Sequence, residues 1–124
     1  MKKPKNYKII VAHPDDEVLF FSSLISDAEK IYICFSKCED QTVTLGRQNF
    51  EEICEQKNFH FVNFKESNCH DLRNWTYAET SPHGLKVKYN SKNYEKNFAK
   101  LYKYFSDVLV FGDVIFTHNP WGEY

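Results

Sequence analysis

Short apolar runs alternate with amphipathic segments along the first half of the chain. Three β-branched or aromatic runs, at 7–12, 30–36 and 59–64, are bounded by polar residues and are typical of buried strands. Between them, the segments at about 15–28 and 44–57 repeat apolar positions at helical spacing. Strands that alternate with helices over short connections predict an α/β fold, a Rossmann-like parallel sheet with helices on both faces.

The second half of the chain begins with a break in this pattern. Polar residues between Glu66 and Asn90 predict a long surface loop, with a short hairpin near Leu85–Tyr89. The clearest helix of the chain follows, and we expect its apolar stripe to be core. The stripe consists of Tyr94, Phe98, Leu101, Tyr102 and Phe105. A last apolar run at 113–117 predicts another strand, which leads into a turn-rich end at Tyr124.

Length and charge limit the class of protein. The 124 residues suit one domain, or part of one, so 1–124 is predicted as a single domain. A formal net charge of -1 gives no long-range attraction for nucleic acid or an acidic membrane. No stretch has the roughly 20 apolar residues of a transmembrane segment, and no signal peptide is evident. The expected location is cytoplasmic, while the oligomeric state stays open.

Most cysteines and histidines do not suggest a site. The cysteines form no CxxC pair, so we expect reduced, packed thiols rather than a zinc knuckle or a disulfide framework. They are Cys34, Cys38, Cys54 and Cys69. His60 lies in a predicted strand, and His70 and His83 lie in the long loop, where solvated or packed side chains are the usual outcome.

Candidate chemistry collects after the first predicted strand. His13, Asp15 and Asp16 follow its carboxyl end, where open parallel sheets bind their ligands, and His118 follows the last strand at the same rim. An imidazole and a carboxylate three residues apart can converge on one cation, and this donor set suits Zn²⁺ better than Mg²⁺ or Ca²⁺. The second carboxylate could take a proton from metal-bound water.

A structural interpretation of the same residues is equally open on spacing alone. Pro14 followed by Asp15, Asp16 and Glu17 is a favourable helix start, with proline in the first positions and acids against the helix dipole. A nucleotide-binding module is less favoured. The turn after the first strand has no glycine, so its backbone cannot cradle a pyrophosphate as GxGxxG does.

A family resemblance favours the metal-site interpretation. The stretch Ile9-Ile10-Val11-Ala12-His13-Pro14-Asp15-Asp16-Glu17 resembles the signature of the LmbE-like or PIG-L family. These zinc hydrolases remove acetyl groups from N-acetylglucosamine attached to inositol, lipid or other carriers. The resemblance implies that His13 and Asp16 bind Zn²⁺ and that Asp15 is the general base.

The end of the chain carries a second likeness. Residues 117–124 are similar to the family segment that leads into a Tyr-Gly-His-x-x-His sequence. The likeness implies that Tyr124 helps to polarise the acetyl carbonyl. The two histidines of that sequence, which include the third zinc ligand, would lie beyond Tyr124, so the domain is expected to be incomplete. The gene sequence beyond Tyr124 would test this expectation.

A third, weaker likeness places Arg47 in the site. Arg47-Gln48-Asn49-Phe50-Glu51 resembles the start of the family's second helix, where the arginine can contact a substrate hydroxyl or phosphate. The alternative is a solvated i,i+4 pair between Arg47 and Glu51.

We expect His118 to border the metal, in contact with substrate, without being an ordinary ligand.

Two classes of function follow from these patterns. The first is a metal-dependent hydrolase that uses zinc-activated water to remove the N-acetyl group from an amino-sugar conjugate of the N-acetylglucosamine type. The second is a truncated, catalytically inactive LmbE-like remnant, or a domain that only binds a sugar or a metal. A complete site assembled across a dimer is a third possibility. The carrier of the sugar is not indicated by any motif.

Overall fold

The computed structural model describes residues 6–68, 80–82, 84, 85 and 92–119. These residues form two compact units. The first contains the described residues up to Glu66 together with Leu109–Thr117, and the second contains the remainder. The elements in chain order are β1 (Tyr7–Val11), α1 (Asp16–Phe21), a 3-10 turn (Ile25–Asp27), β2 (Lys30–Lys37), α2 (Gln41–Ile53), β3 (Phe59–Lys65), β4 (Thr80–Ser81), β5 (Gly84–Leu85), α3 (Lys92–Val108) and β6 (Val114–Thr117).

The first unit is built on a four-stranded parallel sheet with the order β3-β2-β1-β6. The predicted α/β, Rossmann-like parallel sheet is therefore confirmed. The chain adds β2 and β3 on one side of β1 and then returns to place β6 on the other side. The strand order thus reverses between β1 and β6, and in open α/β sheets such a reversal leaves a crevice beyond the carboxyl ends of the strands.

One face of the sheet carries the core of this unit. Strand side chains alternate between faces, and the register pairs Ile9 with Ile31 on β2 and with Phe116 on β6. The buried cluster consists of Tyr7, Ile9, Val11, Ala28, Ile31 and Ile33. Apolar side chains from α1, the 3-10 turn and α2 pack against it: Phe21, Leu24, Ile25 and Phe50. Each fully buried aliphatic side chain contributes about 1.5–3 kcal/mol, so these contacts fix both helices against the sheet.

Helix α1 is shorter than the sequence pattern indicates. The predicted helix at 15–28 ends at Phe21, and the chain continues into the separate 3-10 turn. Ser22 and Ser23 follow Phe21, and serine is a weak helix former because its hydroxyl competes for backbone hydrogen bonds. The Tyr7 hydroxyl donates to the Leu24 carbonyl at 2.6 Å, which holds the start of the 3-10 turn against β1.

Helix α2 begins and ends earlier than predicted. Its start is set by Asp40, whose carboxylate accepts hydrogen bonds from the backbone N–H groups of Thr42 and Val43. This is the usual chemistry of an N-cap, and such a cap stabilises a helix by about 1 kcal/mol. The helix ends at Ile53, since Cys54 has extended backbone angles.

The second unit contains a short antiparallel hairpin and α3, the longest helix among the described residues. Ser81 pairs with Gly84, whose φ of 121° suits the absence of a side chain. The predicted hairpin lies near this one, but residues 86–90 fall outside the described residues. No helix within the described parts of the chain is both long and apolar enough to cross a membrane.

The prediction that the aromatic stripe of α3 is core is wrong for three of its members. Tyr94, Phe98 and Tyr102 are exposed, and the rings of Phe98 and Tyr102 stack on each other with centroids 6.5 Å apart. The less exposed positions include Leu101, Tyr104 and Val108, which share a neighbouring face. The apolar stripe is wider than the face that one helix buries, so periodicity alone does not identify the buried side.

Candidate functional site

The candidate site lies in the turn between β1 and α1. The chain leaves the sheet at Val11 and passes through residues 12–15 into the helix. This turn follows the carboxyl end of β1, beside the point where the strand order reverses. Crevices at that position are where open α/β sheets bind ligands. The fold therefore places His13, Asp15 and Asp16 at the expected position for a site.

A pocket of about 560 Å³ opens beside this turn. This volume falls within the range of small-molecule sites in proteins. The turn and α1 contribute one wall and α2 contributes the other. The lining residues are His13, Pro14, Asp15, Glu17, Val18, Val43, Gly46, Arg47 and Phe50. The pocket thus combines an imidazole, carboxylates and a guanidinium with an apolar surface.

His13 and Asp16 are brought together by the first turn of α1. The backbone N–H of His13 donates to Asp16 Oδ2 at 2.8 Å, which fixes the carboxylate against the turn. The same oxygen lies 3.5 Å from His13 Nδ1. The side chain of Asp16 is largely buried, with 14% exposed, while that of His13 is 36% exposed. One nitrogen and one oxygen therefore face each other at the edge of the pocket.

The opposite side of the His13 ring contacts Glu66, a residue that sequence reasoning did not single out as a site residue. His13 Nε2 lies 2.6 Å from Glu66 Oε1, and Arg47 donates from its NH1 group to the same oxygen at 2.7 Å. Glu66 follows β3 directly, and its backbone N–H donates to the Lys37 carbonyl. The sequence feature that could have indicated Glu66 is its position, since it is a charged residue directly after the carboxyl end of a predicted strand.

Asp15 has an unusual backbone conformation for a residue with a side chain. Its φ is 89°, in the left-handed region that glycine favours, and such conformations cost about 1–3 kcal/mol and cluster at functional sites. Asp15 is the N-cap residue of α1, yet its side chain makes no capping hydrogen bond. Its carboxylate is exposed beside the pocket. The Asp15 side chain therefore does not cap the helix by a hydrogen bond, although a carboxylate at this position suits the positive end of the helix dipole.

Glu17 is the most deeply buried carboxylate of the described residues. Its side chain is 1% exposed, and its Oε2 atom has no hydrogen-bond partner within the described parts of the chain. Burial raises the pKa of this carboxyl, and hydrogen bonds from the backbone N–H groups of Glu17 and Asp15 oppose the shift. Glu17 therefore lines the pocket as a group for which burial disfavours the ionised form.

The other predicted site residues lie in different places. Arg47 lines the pocket and pairs with Glu66, while Glu51, its alternative partner, accepts a hydrogen bond from Asn63 at 3.1 Å. His118 follows β6 directly, is half-buried and falls in the second unit. Tyr124 lies outside the described residues. The roles of Arg47, His118 and Tyr124 stay predictions.

His60 lies away from the motif and belongs to no group of metal ligands among the described residues. His60 lies on β3, its ring packs edge to face against Tyr32 at 5.5 Å, and burial lowers its pKa. His70 and His83 fall outside the described residues. His60 is therefore a packed strand residue, as the sequence suggested.

The donor set can be tested against the zinc ion that the motif implies. In a tetrahedral site with bonds of about 2.0–2.2 Å, two ligand atoms lie about 3.3–3.6 Å apart. The 3.5 Å between His13 Nδ1 and Asp16 Oδ2 matches this spacing. The contact of Glu66 with the other ring nitrogen matches the carboxylate partner that metal-binding histidines usually have. These two side chains fit two positions of a zinc site.

A full set of ligands does not occur within the described parts of the chain. No group of three His, Cys, Asp or Glu residues there could hold a metal ion. His13 cannot turn both ring nitrogens to one cation, so Asp16 and Glu66 do not form a three-ligand set with it. His13 and Asp16 are therefore the two candidate zinc ligands among the described residues.

No family model, curated protein or solved structure matches the chain. The resemblance to the LmbE-like family thus depends on the motif, and the geometry around His13 and Asp16 is the independent observation beside it.

Proposed function

We propose that this chain carries the metal-binding and proton-transfer part of a zinc-dependent N-deacetylase. The reaction would remove the acetyl group from an amino-sugar conjugate of the N-acetylglucosamine type. The observation that carries this proposal is the spacing of 3.5 Å between His13 Nδ1 and Asp16 Oδ2, at the edge of a pocket that Asp15 also lines. The resemblance of His13-Pro14-Asp15-Asp16-Glu17 to the LmbE-like signature supplies the class of reaction.

His13 and Asp16 are the residues that would hold the ion. When bound, Zn²⁺ would lower the pKa of a water molecule to about 7 and polarise the amide carbonyl. The backbone N–H of His13 already holds the Asp16 carboxylate in place, so little side-chain freedom would be lost on binding. Glu66 holds the histidine ring from the other side.

Asp15 is suited to move the proton in this reaction. Its exposed carboxylate lies beside the metal-binding pair, and no capping hydrogen bond competes for it. An oxygen of Asp15 would take a proton from the attacking water as the new carbon–oxygen bond forms. The proton would then pass to the amide nitrogen as the carbon–nitrogen bond breaks. The products are acetic acid, which releases its proton to become acetate, and the amine.

The pocket supports a polar substrate of modest size. Arg47 uses one N–H group on Glu66, and a guanidinium has five such groups, so others are available for a sugar hydroxyl or phosphate. Phe50 and Val18 add apolar surface that can cover a sugar ring. Tyr124 as the group that polarises the carbonyl, and His118 as a neighbour of the metal, complete the proposal as predictions.

The decisive experiment measures zinc content and amine release on the whole chain. We expect one zinc per chain and release of amine from N-acetylglucosamine or its conjugates. His13→Gln and Asp16→Asn should each reduce zinc content, while His60→Gln is the matched control because His60 lies on β3 away from the pocket. Wild-type protein that takes up no zinc from a metal buffer would contradict the proposal.

The second candidate function is a domain that binds a metal or sugar without catalysis. The absence of a three-ligand group within the described residues favours it, since loss of a ligand weakens binding and leaves the carbonyl unsupported. Weak zinc binding without amine release would support this candidate. If activity rises with protein concentration more steeply than in proportion, the site is instead completed across a dimer.

A further inference from the structure

One oxygen of Glu66 contacts a residue from each of the two walls of the pocket, His13 from the turn after β1 and Arg47 from α2. Glu66 Oε1 lies 2.6 Å from His13 Nε2, and it accepts the hydrogen bond from Arg47 NH1 at 2.7 Å. Glu66 comes from the end of β3, His13 from the turn after β1, and Arg47 from the middle of α2. The Glu66 side chain is 24% exposed and that of Arg47 is 17% exposed, so the contacts are partly shielded from water.

We propose that Glu66 is a positioning residue that sets the tautomer of His13. Its carboxylate keeps the proton of the neutral imidazole on Nε2, so that the lone pair of Nδ1 faces Asp16. This inference rests on the proposed metal site, which it deepens by assigning the ring nitrogen that binds the ion and the residue that selects it. Neutral imidazole carries one proton on either nitrogen, and its hydrogen-bond partner decides which.

The distances favour this tautomer. An ionised carboxylate attracts a proton and repels a lone pair, so Glu66 Oε1 at 2.6 Å from Nε2 favours the tautomer with the proton on that nitrogen. On the other side, 3.5 Å between Nδ1 and Asp16 Oδ2 is longer than an ordinary hydrogen bond. That oxygen already accepts the backbone N–H of His13 at 2.8 Å. Nothing on the Asp16 side therefore requires a proton on Nδ1.

Arg47 fixes the orientation of Glu66. A guanidinium only donates hydrogen bonds, so its contact with Oε1 keeps an acceptor atom at that point. Because the same atom contacts His13, the group that faces the histidine is an acceptor as well. A glutamine at position 66 would be held with its carbonyl oxygen toward Arg47, and it should preserve the tautomer.

The direct test is ¹⁵N NMR of the histidine ring in metal-free protein, at a pH where the imidazole is neutral. The His13 signals are assigned by their loss in His13→Gln. In wild type we expect the proton on Nε2 in most molecules. Glu66→Ala should shift the population toward Nδ1–H, while Glu66→Gln should keep the wild-type pattern. Glu51→Ala is the matched control, since it removes a carboxylate of α2 that contacts Asn63 instead.

Zinc affinity provides a second readout. Loss of a carboxylate partner of a metal-binding histidine reduces affinity by about 10- to 100-fold. We expect a loss in that range for Glu66→Ala, a smaller loss for Glu66→Gln and none for Glu51→Ala. If Glu66→Ala does not fold, Arg47→Ala provides the substitute, since it frees the Glu66 carboxylate and should broaden the tautomer distribution.

The proposed role of Glu66 and the proposed deacetylase function can be disproved separately. An Nδ1–H tautomer in wild type, or an unchanged tautomer in Glu66→Ala, overturns the role of Glu66 even if zinc binds. Wild-type protein that shows the expected tautomers but takes up no zinc overturns the deacetylase proposal and leaves the role of Glu66 on the histidine in place.

Discussion

His13 and Asp16 are linked twice within one turn of chain. The backbone N–H of His13 donates to Asp16 Oδ2 at 2.8 Å, and the ring Nδ1 lies 3.5 Å from the same oxygen. The first contact holds the carboxylate, and the second leaves a nitrogen and an oxygen at the spacing of two zinc ligands. Asp15, between them in sequence, has a φ of 89° and an exposed carboxylate. Each of the three residues can therefore be tested separately.

Replacement of Asp15 by asparagine should abolish proton transfer without loss of the metal. General-base catalysis contributes about 10²–10⁴-fold to rate, so we expect amine release to fall by that factor. Zinc content should be unchanged, because Asp16 and His13 are intact. Asparagine tolerates a positive φ and the Asp15 side chain caps nothing, so the free energy of unfolding should change by less than about 0.5 kcal/mol.

Asp15→Gly separates the base from the backbone strain. Glycine adopts a positive φ without a steric cost, although its greater freedom in the unfolded chain offsets part of the gain. We expect this variant to be at least as stable as wild type in urea unfolding and as inactive as Asp15→Asn. A variant that keeps full amine release would exclude Asp15 as the base.

The ion pair between Lys8 and Asp113 predicts a loss of stability in acid. Lys8 Nζ lies 2.6 Å from Asp113 Oδ2, which ties β1 to the turn before β6. The hydrogen bond from Lys8 and a second one from the Val110 N–H hold the pKa of Asp113 below its ordinary value. A carboxyl whose pKa is lower in the folded state stabilises the protein above its unfolded pKa of about 3.9, and this contribution is lost as the pH falls through the folded value.

The measurement is urea unfolding of wild type and Asp113→Asn from neutral pH down to about pH 2. The variant should be less stable at neutral pH, and the gap between the two proteins should close in acid. A gap that is constant over this range would mean that the Asp113 charge has no role in folding.

The sequence predicted the strands of the parallel sheet closely because their signal is local. Most residues of the β-branched runs that include Ile9–Val11 and Ile31–Ile33 are buried. The ends of the two strands that contain them, β1 and β2, were predicted within about one residue. The helices were predicted less well. The start of α2 depends on one capping residue, Asp40, and the buried side of α3 depends on its neighbours rather than on its own apolar stripe.

The residues of the candidate site also differ in how far the sequence could predict their contacts. His13 and Asp16 are neighbours in sequence, so the motif alone brings them together. Glu66 reaches His13 through the pairing of β3 with β2 and of β2 with β1, which no local pattern reports. Arg47 had a local partner available in Glu51, and the structure gives it Glu66 instead. Tertiary contacts of this kind outweigh an i,i+4 pair, which is worth only about 0.2–0.5 kcal/mol.

The contribution of Glu17 to stability should change with pH in the opposite direction to that of Asp113. Burial raises the pKa of its carboxyl, so the folded state favours the protonated form. Stability from this group is complete below its unfolded pKa and is lost as the pH rises through the folded value. In metal-free protein, the free energy of unfolding of Glu17→Gln minus that of wild type should therefore increase as the pH rises from about 4 to 7.

This difference is independent of any constant effect of the glutamine amide on packing. Asp15→Asn serves as the control, since its exposed carboxylate borders the same pocket. A difference that stays flat with pH would show that Glu17 ionises as easily in the folded protein as in the unfolded chain.

Thiol reactivity tests the packing of β2. Cys34 is buried within this strand, and burial raises the pKa of its thiol to about 12. Because the thiolate is the reactive form, alkylation by iodoacetamide at neutral pH should be far slower at Cys34 than at Cys38 or Cys54, which are half-buried. Peptide mass spectrometry after timed alkylation measures each site, and all three should react alike in urea. Equal rates at Cys34 and Cys54 in native protein would contradict the burial of β2, on which the positions of His13 and Glu66 both depend.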